Sequence, residues 1–182
     1  MVNIYKLKLT ILQNEMLRLL FINAGNPMNG REMAQSLTVS QPAISKALPL
    51  LEKNSLVLVK KDPRSKRLLI TPNRENNEVI WLKRADNLKQ VYESGLVKFL
   101  NDSLPGTTVI LFGSYSSGED TMQSDIDLAV IGIKYKDMDF KKFENILKRK
   151  ININNYESFK KIDKHILNNI LNGILLKGAV QI

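Results

Sequence analysis

The N-terminal part of the chain alternates helical hydrophobic patterns with turn-forming residues. Gly25 predicts the end of a first helix, NPMNG predicts a turn, and REMAQSL predicts a short second helix. A third helix is expected over QPAISKALPLLEKN, where Ser40 would be the N-cap, Pro42 fits the first turn and Pro49 predicts a kink. The first helix, in LTILQNEMLRLLFINAG, has six apolar positions on one face: Ile11, Leu12, Met16, Leu19, Leu20 and Ile22.

The period of the hydrophobic pattern changes after these helices. SLVLVKK and RLLITPN are β-rich runs, and the DPRS segment between them has the residues of a turn. Three helices followed by a β-hairpin is the element order of a winged helix. The next segment, NRENNEVIWLKRADNLKQVYESGLVKFLNDSLPG, reads mainly as helix.

The C-terminal part mixes strands with helices. TTVILF predicts a buried strand, SDIDLAVIGI a second strand, and KININN a later one with its isoleucines on one face and Asn152 and Asn154 on the other. Together the patterns predict an α+β protein in three parts. These are a winged-helix domain over 1–75, a helical connector over 76–95 and a small mixed-sheet domain over 96–182.

Composition excludes several classes of protein. The chain has 182 residues, 43% hydrophobic and 25% charged, as in ordinary soluble globular domains. No apolar run approaches the length of a membrane span, and MVNIYKLKLT lacks the pattern of a signal peptide. The absence of cysteine excludes disulfides and thiolate metal sites. We therefore expect a cytoplasmic protein without a membrane partner.

The positive charge is concentrated in the N-terminal part. The net charge is +9; residues 1–75 have 12 Lys and Arg against 5 Asp and Glu, which gives +7 and leaves +2 for the rest. Such asymmetry is typical of nucleic-acid binding. A generally basic, solvated surface explains the charge equally well.

Residues 9–73 resemble the winged helix-turn-helix of transcription regulators of the MarR and ArsR type, above all in MAQSLTVSQPAISKALPLLEKNSLV. The resemblance implies a recognition helix over 41–53 in the major groove of double-stranded DNA, and a homodimer in which the connector supplies a contact. A winged helix used only for protein contacts is the alternative. The implied DNA-facing residues are Gln41, Ser45 and Lys46 in the helix, and Lys60, Lys61, Arg64, Lys66 and Arg67 in the wing.

The most informative motif is GSYSSGEDTMQSDIDLAV, residues 113–130. Gly113 lets the backbone approach an anion, and Ser114 can donate to a phosphate oxygen. Asp125 and Asp127 are two residues apart on a strand, so both carboxylates leave the same face. Paired hard oxygen ligands suit Mg²⁺ carrying a nucleotide.

This spacing of Gly-Ser and Asp-x-Asp resembles the nucleotidyltransferases of the polymerase-beta superfamily, specifically the minimal nucleotidyltransferases, over residues 95–182. FKKIDKHILNNILNGILLKG is similar to their closing helix. The resemblance implies that Asp125 and Asp127 bind Mg²⁺ or Mn²⁺ with ATP or another nucleoside triphosphate, and that both are catalytic in an active member. The implied nucleotide-binding residues are Gly113, Ser114, Gly118 and Ser124.

The chain departs from that family at two positions. Ser117 replaces a basic residue, and the later strand has Asn152 where active members carry a third carboxylate. An amide cannot act as a general base. We therefore expect a DNA-binding regulator whose second domain binds Mg-nucleotide and is weak or inactive in transfer. The alternative is an active enzyme that transfers AMP from ATP to a protein or small molecule, in the manner of antitoxins that modify a HEPN-type partner protein.

Overall fold

The computed structural model describes residues 8–181. Residues 1–7 and 182, at the ends of the predicted domains, lie outside the described residues. The chain divides into two compact units, Met1–Val79 and Ile80–Ile182. Among the helices of residues 8–181, none combines the length and the apolar content needed to cross a bilayer.

The N-terminal unit has the predicted winged-helix order. A three-stranded antiparallel sheet, in the order β1-β3-β2, packs against three helices around a core that includes Met16, Leu20, Met33, Ile44 and Leu51. The elements are α1 (Ile11–Ile22), β1 (Met28–Asn29), α2 (Gly30–Ser36), α3 (Gln41–Lys53), β2 (Val57–Lys61) and β3 (Leu68–Pro72).

Side-chain caps set the helix starts in this unit. Thr10 and Gln13 form a capping box at α1, and the Ser40 hydroxyl accepts the Ala43 N–H at 3.3 Å as the predicted N-cap of α3. Helix α3 continues through Pro49, where the sequence predicts a kink.

NPMNG does not continue α1, as expected, and its Met28–Asn29 form strand β1, which was not predicted. Met28 pairs with Ile70 and Asn29 with Leu69. The same Asn29 caps α2, since its side-chain oxygen accepts the N–H groups of Arg31 and Glu32 at 3.0 and 3.1 Å. The side chain of Asn29 therefore caps α2, while its backbone pairs with β3.

The C-terminal unit contains a mixed four-stranded sheet in the order β6-β5-β4-β7, as the predicted fold class requires. Only β5 and β6 are parallel; the other pairs are antiparallel. A 3-10 turn (Phe159–Lys161) lies between β6 and α8. The elements are α4 (Asn77–Glu93), α5 (Leu96–Ser103), β4 (Thr108–Phe112), α6 (Gly113–Ser117), β5 (Ile126–Ile131), α7 (Lys141–Leu147), β6 (Ile151–Tyr156), α8 (Lys164–Leu171) and β7 (Ile174–Lys177).

Both faces of this sheet are covered. Leu111 and Leu128 pack on one face with α5 and α7, while Ile110 and Ala129 pack on the other with Ile170 of α8. By strand alternation Asp127 shares the face of Ala129. The acidic residues therefore belong to the α8 side of the sheet.

The closing helix predicted over FKKIDKHILNNILNGILLKG is shorter than expected. Only Lys164–Leu171 form α8, and the strand Ile174–Lys177 follows it. Gly173 lies so close to β4 that a Cβ there would be 2.3 Å from the Leu111 carbonyl oxygen. This approach lets Ile174–Lys177 pair with β4 as β7. Period-based reasoning missed the strand because its pairing partner is distant in sequence.

Candidate nucleotide site and winged-helix surface

Gly113 begins α6 directly after β4, at the edge of the sheet beside β5. Its φ is +74°, in the left-handed region, and a Cβ at this position would lie 2.8 Å from Asp127 Oδ2. The close approach follows from strand register, because Phe112 pairs with Asp127. Glycine is therefore required here for both its backbone conformation and its missing side chain.

Asn152 joins the two aspartates in one polar cluster. It is the register partner of Asp127 across the parallel pair β5 and β6. Its Nδ2 donates to Asp125 Oδ2 at 2.9 Å and to Asp127 Oδ1 at 3.4 Å. The asparagine thus lies beside both carboxylates, as expected from its place in KININN.

The donor set of this cluster fits a hard divalent cation. Within residues 8–181, neither Asp125 nor Asp127 forms an ion pair with a basic side chain, and no cluster of three or more His, Cys, Asp or Glu side chains occurs there. Two carboxylates plus an amide oxygen, once the Asn152 amide turns over, suit Mg²⁺ that keeps its remaining ligands from water and phosphate. Such a cation would neutralise phosphate charge at this edge of the sheet.

The predicted nucleotide-binding residues have different surroundings. Gly118 ends α6 with φ +83°, and a Cβ there would lie 2.5 Å from the Ile80 carbonyl oxygen of α4. Packing against α4 therefore accounts for this glycine without a nucleotide. Ser124 Oγ accepts the Thr121 N–H at 3.0 Å, which closes the loop before Asp125. Gly113 remains beside Asp127, and Ser114 follows it in α6.

Ser117 is turned back onto its own helix. Its hydroxyl donates to the Ser114 carbonyl at 3.1 Å and lies 3.1 Å from Glu119 Oε2. The position that is basic in the resembled family therefore adds no cation to this edge of the sheet.

A buried charged cluster, which sequence reasoning missed, lies beneath α6. Lys83 of α4 forms an ion pair with Asp120, and Arg149 Nη2 lies 3.4 Å from Asp120 Oδ2. Asn87 donates to Asp120 Oδ1 at 2.7 Å and to the Tyr115 carbonyl at 2.9 Å. Lys83 and Asp120 are each 1% exposed. The sequence does contain a signal for this cluster. Lys83 and Asn87 lie four residues apart, in line with the buried Val79 and Val91, so they share the buried face of α4.

Helix α3, the predicted recognition helix, and the wing hairpin β2–β3 border a common groove. A concave surface of about 450 Å³ is lined by Gln41 and Ser45 of α3 and by Arg67 of the wing. Arg31 of α2 lines it as well. Three predicted DNA-facing residues thus come together, and Arg31 is an addition that sequence reasoning missed.

The other predicted DNA-facing residues are more dispersed. Lys46 is exposed on α3. Lys60 borders a second, smaller concavity together with Glu52, whereas Lys61 ends β2. Arg64 and Lys66 are exposed at the wing tip.

Asp62 organises the wing turn. Its Oδ1 accepts the N–H groups of Arg64 and Ser65 at 2.7 and 3.1 Å. These two backbone donors hold the pKa of the Asp62 carboxyl below its usual range. The turn is therefore fixed by an ionised carboxylate.

Comparison with known families tests the C-terminal motif directly. Residues 93–176 match the family model described as "Nucleotidyltransferase domain". The match confirms the resemblance carried by the Gly-Ser and Asp-x-Asp motif, over somewhat less than half of the chain. No curated protein sequence is significantly similar to the chain.

Several solved structures are similar to part of the chain. A mutant of ZitR from Lactococcus lactis has 21% identity and a TM-score of 0.42, over 54% of this chain and 64% of its own length. MepR of Staphylococcus aureus in complex with DNA has 18% identity and a TM-score of 0.37, over 52% and 81%. The adhesin competence repressor of Streptococcus pyogenes has 25% identity and a TM-score of 0.40, over 56% and 74%.

Proposed function

We propose that the chain is a DNA-binding transcription regulator whose nucleotidyltransferase domain binds a metal–nucleotide complex and transfers nucleotide slowly or not at all. The observation that carries this proposal is Asn152, whose amide lies between Asp125 and Asp127. A neutral amide can contribute an oxygen ligand but cannot take a proton from an attacking hydroxyl.

Nucleotide binding is supported by the surroundings of Gly113. The bare backbone at Gly113 lies against Asp127, and Ser114 is the next residue of α6. Neither Asp125 nor Asp127 has a basic partner within residues 8–181. A triphosphate brings Mg²⁺ or Mn²⁺ as the counterion that these carboxylates need. ATP or another nucleoside triphosphate is the expected ligand.

Binding of double-stranded DNA is supported by the groove between α3 and the wing. Gln41 and Ser45 are polar side chains in the first two turns of α3, from which they can form hydrogen bonds to base edges. Arg31 and Arg67 line the same groove and are the expected phosphate ligands. Five cations among residues 60–67 strengthen the positive potential of the hairpin.

A homodimer contact is supported by an exposed stripe on α4. Trp81, Ala85, Leu88 and Tyr92 follow one another at intervals of four, three and four residues, which is the spacing of a helix–helix seam. Trp81 is 64% exposed and Tyr92 51%. Replacing both by Ser should shift the protein from dimer to monomer in light scattering; an unchanged mass would place the contact elsewhere.

Nucleotide transfer is tested with radiolabelled ATP and Mg²⁺, in the presence and absence of candidate partner proteins. We expect little label on any acceptor. Robust labelling of a protein, a HEPN-type partner included, would instead establish the active enzyme.

DNA binding is tested by gel shift with the region upstream of the protein's own gene. We expect a sequence-specific complex whose affinity falls steeply with salt. Comparison with and without ATP and Mg²⁺ measures whether the two ligands are coupled. Absence of a specific complex at every salt concentration would refute the regulator.

A further inference from the structure

A basic cleft lies beside Asp125, on the β6 side of strand β5. Its volume is about 460 Å³, and its lining includes Asp125, Lys148, Arg149 and Lys150. Since the sheet order is β6-β5-β4-β7, α6 follows β4 on one side of β5, whereas Lys148–Lys150 lead into β6 on the other. Strand β5, with its aspartates, therefore separates the proposed phosphate cradle from the cleft.

The two lysines of this cleft, Lys148 and Lys150, flank the buried Arg149 in the chain. Arg149 is 6% exposed; its Nη1 donates to the Lys148 carbonyl at 3.0 Å and its Nη2 lies 3.4 Å from Asp120 Oδ2. The Lys150 carbonyl accepts the Ile126 N–H at 2.8 Å, which fixes Lys150 next to Asp125. The backbone on both sides of Arg149 is therefore held in place.

Lys148 has an unfavourable backbone conformation for a lysine. It ends α7 with φ +54° and ψ +35°, in the left-handed region where glycine is the usual residue. Glycine would adopt this conformation without strain, so Lys148→Gly removes the cation without a backbone cost in the folded chain.

The charges around the cleft favour an anion once the aspartates carry a cation. Lys148 and Lys150 line the cleft together with the buried Arg149, and its acidic lining residues are Glu144 and Asp125. Glu144 is engaged at one oxygen, since its Oε1 accepts the Ile151 N–H at 3.0 Å. With the charge of Asp125 neutralised, the lining is positive.

We propose that this cleft is a subsite for a phosphate group of a second ligand, held by Lys148 and Lys150 next to the nucleotide. The inference rests on the proposed nucleotide site for the identity of its neighbour and for the cation that neutralises Asp125. Its chemistry requires a phosphate-bearing molecule that binds together with the metal–nucleotide complex and is distinct from it.

The test is a titration of the ¹⁵N-labelled full chain with inorganic phosphate at constant ionic strength, followed by backbone amide shifts. We expect saturable shifts at residues 148–151. Lys148→Gly combined with Lys150→Gln should weaken binding about fivefold or more, with no loss of thermal stability because the glycine relieves strain. Lys141→Gln with Lys142→Gln, an equal charge change at the start of α7, should leave the shifts unchanged.

Repeating the titration with saturating ATP and Mg²⁺ identifies the source of the phosphate. Persistence of the shifts at 148–151 supports a separate ligand, whereas their abolition by the nucleotide would show that the cleft takes the nucleotide's own phosphates and would overturn the proposal. Equal weakening in both pairs of variants, or no saturable shift, would also overturn it. The amides of Gly113 and Ser114 report nucleotide binding in the same spectra, so its failure is seen separately.

Discussion

Gly113 lies so close to Asp127 that a methyl group on its Cα would be 2.8 Å from Asp127 Oδ2. Gly113→Ala should therefore displace the carboxylate and strain a backbone with φ +74°. We expect about tenfold weaker binding of ATP with Mg²⁺ by calorimetry, and a loss of about 1–2 kcal/mol in the free energy of unfolding.

Gly106→Ala is the matched control for Gly113. Its φ is +73°, and a Cβ there would meet nothing within 4 Å. It should lower the free energy of unfolding through the same backbone strain as Gly113→Ala, and it should leave the affinity for ATP with Mg²⁺ unchanged. Equal loss of affinity in both variants would mean that the Asp127 contact is irrelevant.

Asn152→Asp should add the third carboxylate to the cluster. We expect transfer of label from ATP to rise by about 10²-fold or more, because a general base is supplied. Without divalent cations the variant should be less thermostable than the parent, since three carboxylates repel one another, and Mg²⁺ should restore the loss. Asn154→Asp, two residues along the same strand and opposite Ala129, should change neither quantity. No gain of transfer would show that more than the base is missing.

Asp120→Asn should leave the cations of Lys83 and Arg149 buried without their shared anion. We expect a loss of about 3–5 kcal/mol in the free energy of unfolding, measured in urea by the fluorescence of Trp81, the sole tryptophan. Glu119→Gln, at the exposed neighbouring position, should cost less than about 0.5 kcal/mol. Similar losses in the two variants would contradict a stabilising role for the cluster.

Arg67→Ala and Gln41→Ala should weaken DNA binding in different ways. Loss of the Arg67 charge should lower affinity for all sequences and reduce the slope of log affinity against log salt by about one. Gln41→Ala should reduce discrimination between sequences by about 1–3 kcal/mol and leave the slope unchanged. Lys53→Ala, at the far end of α3, is the control. A slope unaffected by Arg67→Ala would remove this residue from the phosphate contacts.

Acid should loosen the wing turn through Asp62. Its pKa is lowered in the folded chain, so its contribution to stability is present above the unfolded pKa, about 3.9, and is lost as the pH falls through the lower folded value. We expect the amide signals of Arg64 and Ser65 to titrate with a midpoint below about pH 4. Asp62→Asn should abolish this transition; its persistence would assign it to another group.

The elements that periodicity defines were predictable from the sequence. Helices α1 and α3 have local caps, and α3 has a strong apolar face, whereas α1 buries Leu17 and Phe21 and leaves the predicted Ile11 exposed. Strands β4 and β5 are β-branched runs with turns beside them. The Gly-Ser and Asp-x-Asp motif located the polar cluster because strand alternation and register follow from local spacing. Asn152 was expected beside the two aspartates from the family resemblance, since its pairing with Asp127 joins residues distant in sequence.

The features that depend on distant pairing were not predictable in this way. Strands β1 and β7 are short and are defined by their partners Ile70 and Leu111 rather than by their own composition. Asp120 and Arg149 are far apart in sequence and meet only in the folded unit. Arg31 reaches the groove beside α3 through the packing of α2, and no pattern in its own segment indicates this.

Asn152 also gives both carboxylates a hydrogen-bond donor before any ligand binds. Its amide hydrogens occupy carboxylate lone pairs that an incoming cation needs, so the asparagine is a competitive internal ligand. The bond to Asp125, at 2.9 Å, is charge-assisted, and a bare cation must displace it before it binds. A cation that arrives on a triphosphate brings additional contacts that offset the cost. The expected behaviour is a threshold: the free metal ion is poorly retained, and the site fills only when metal and nucleotide come together.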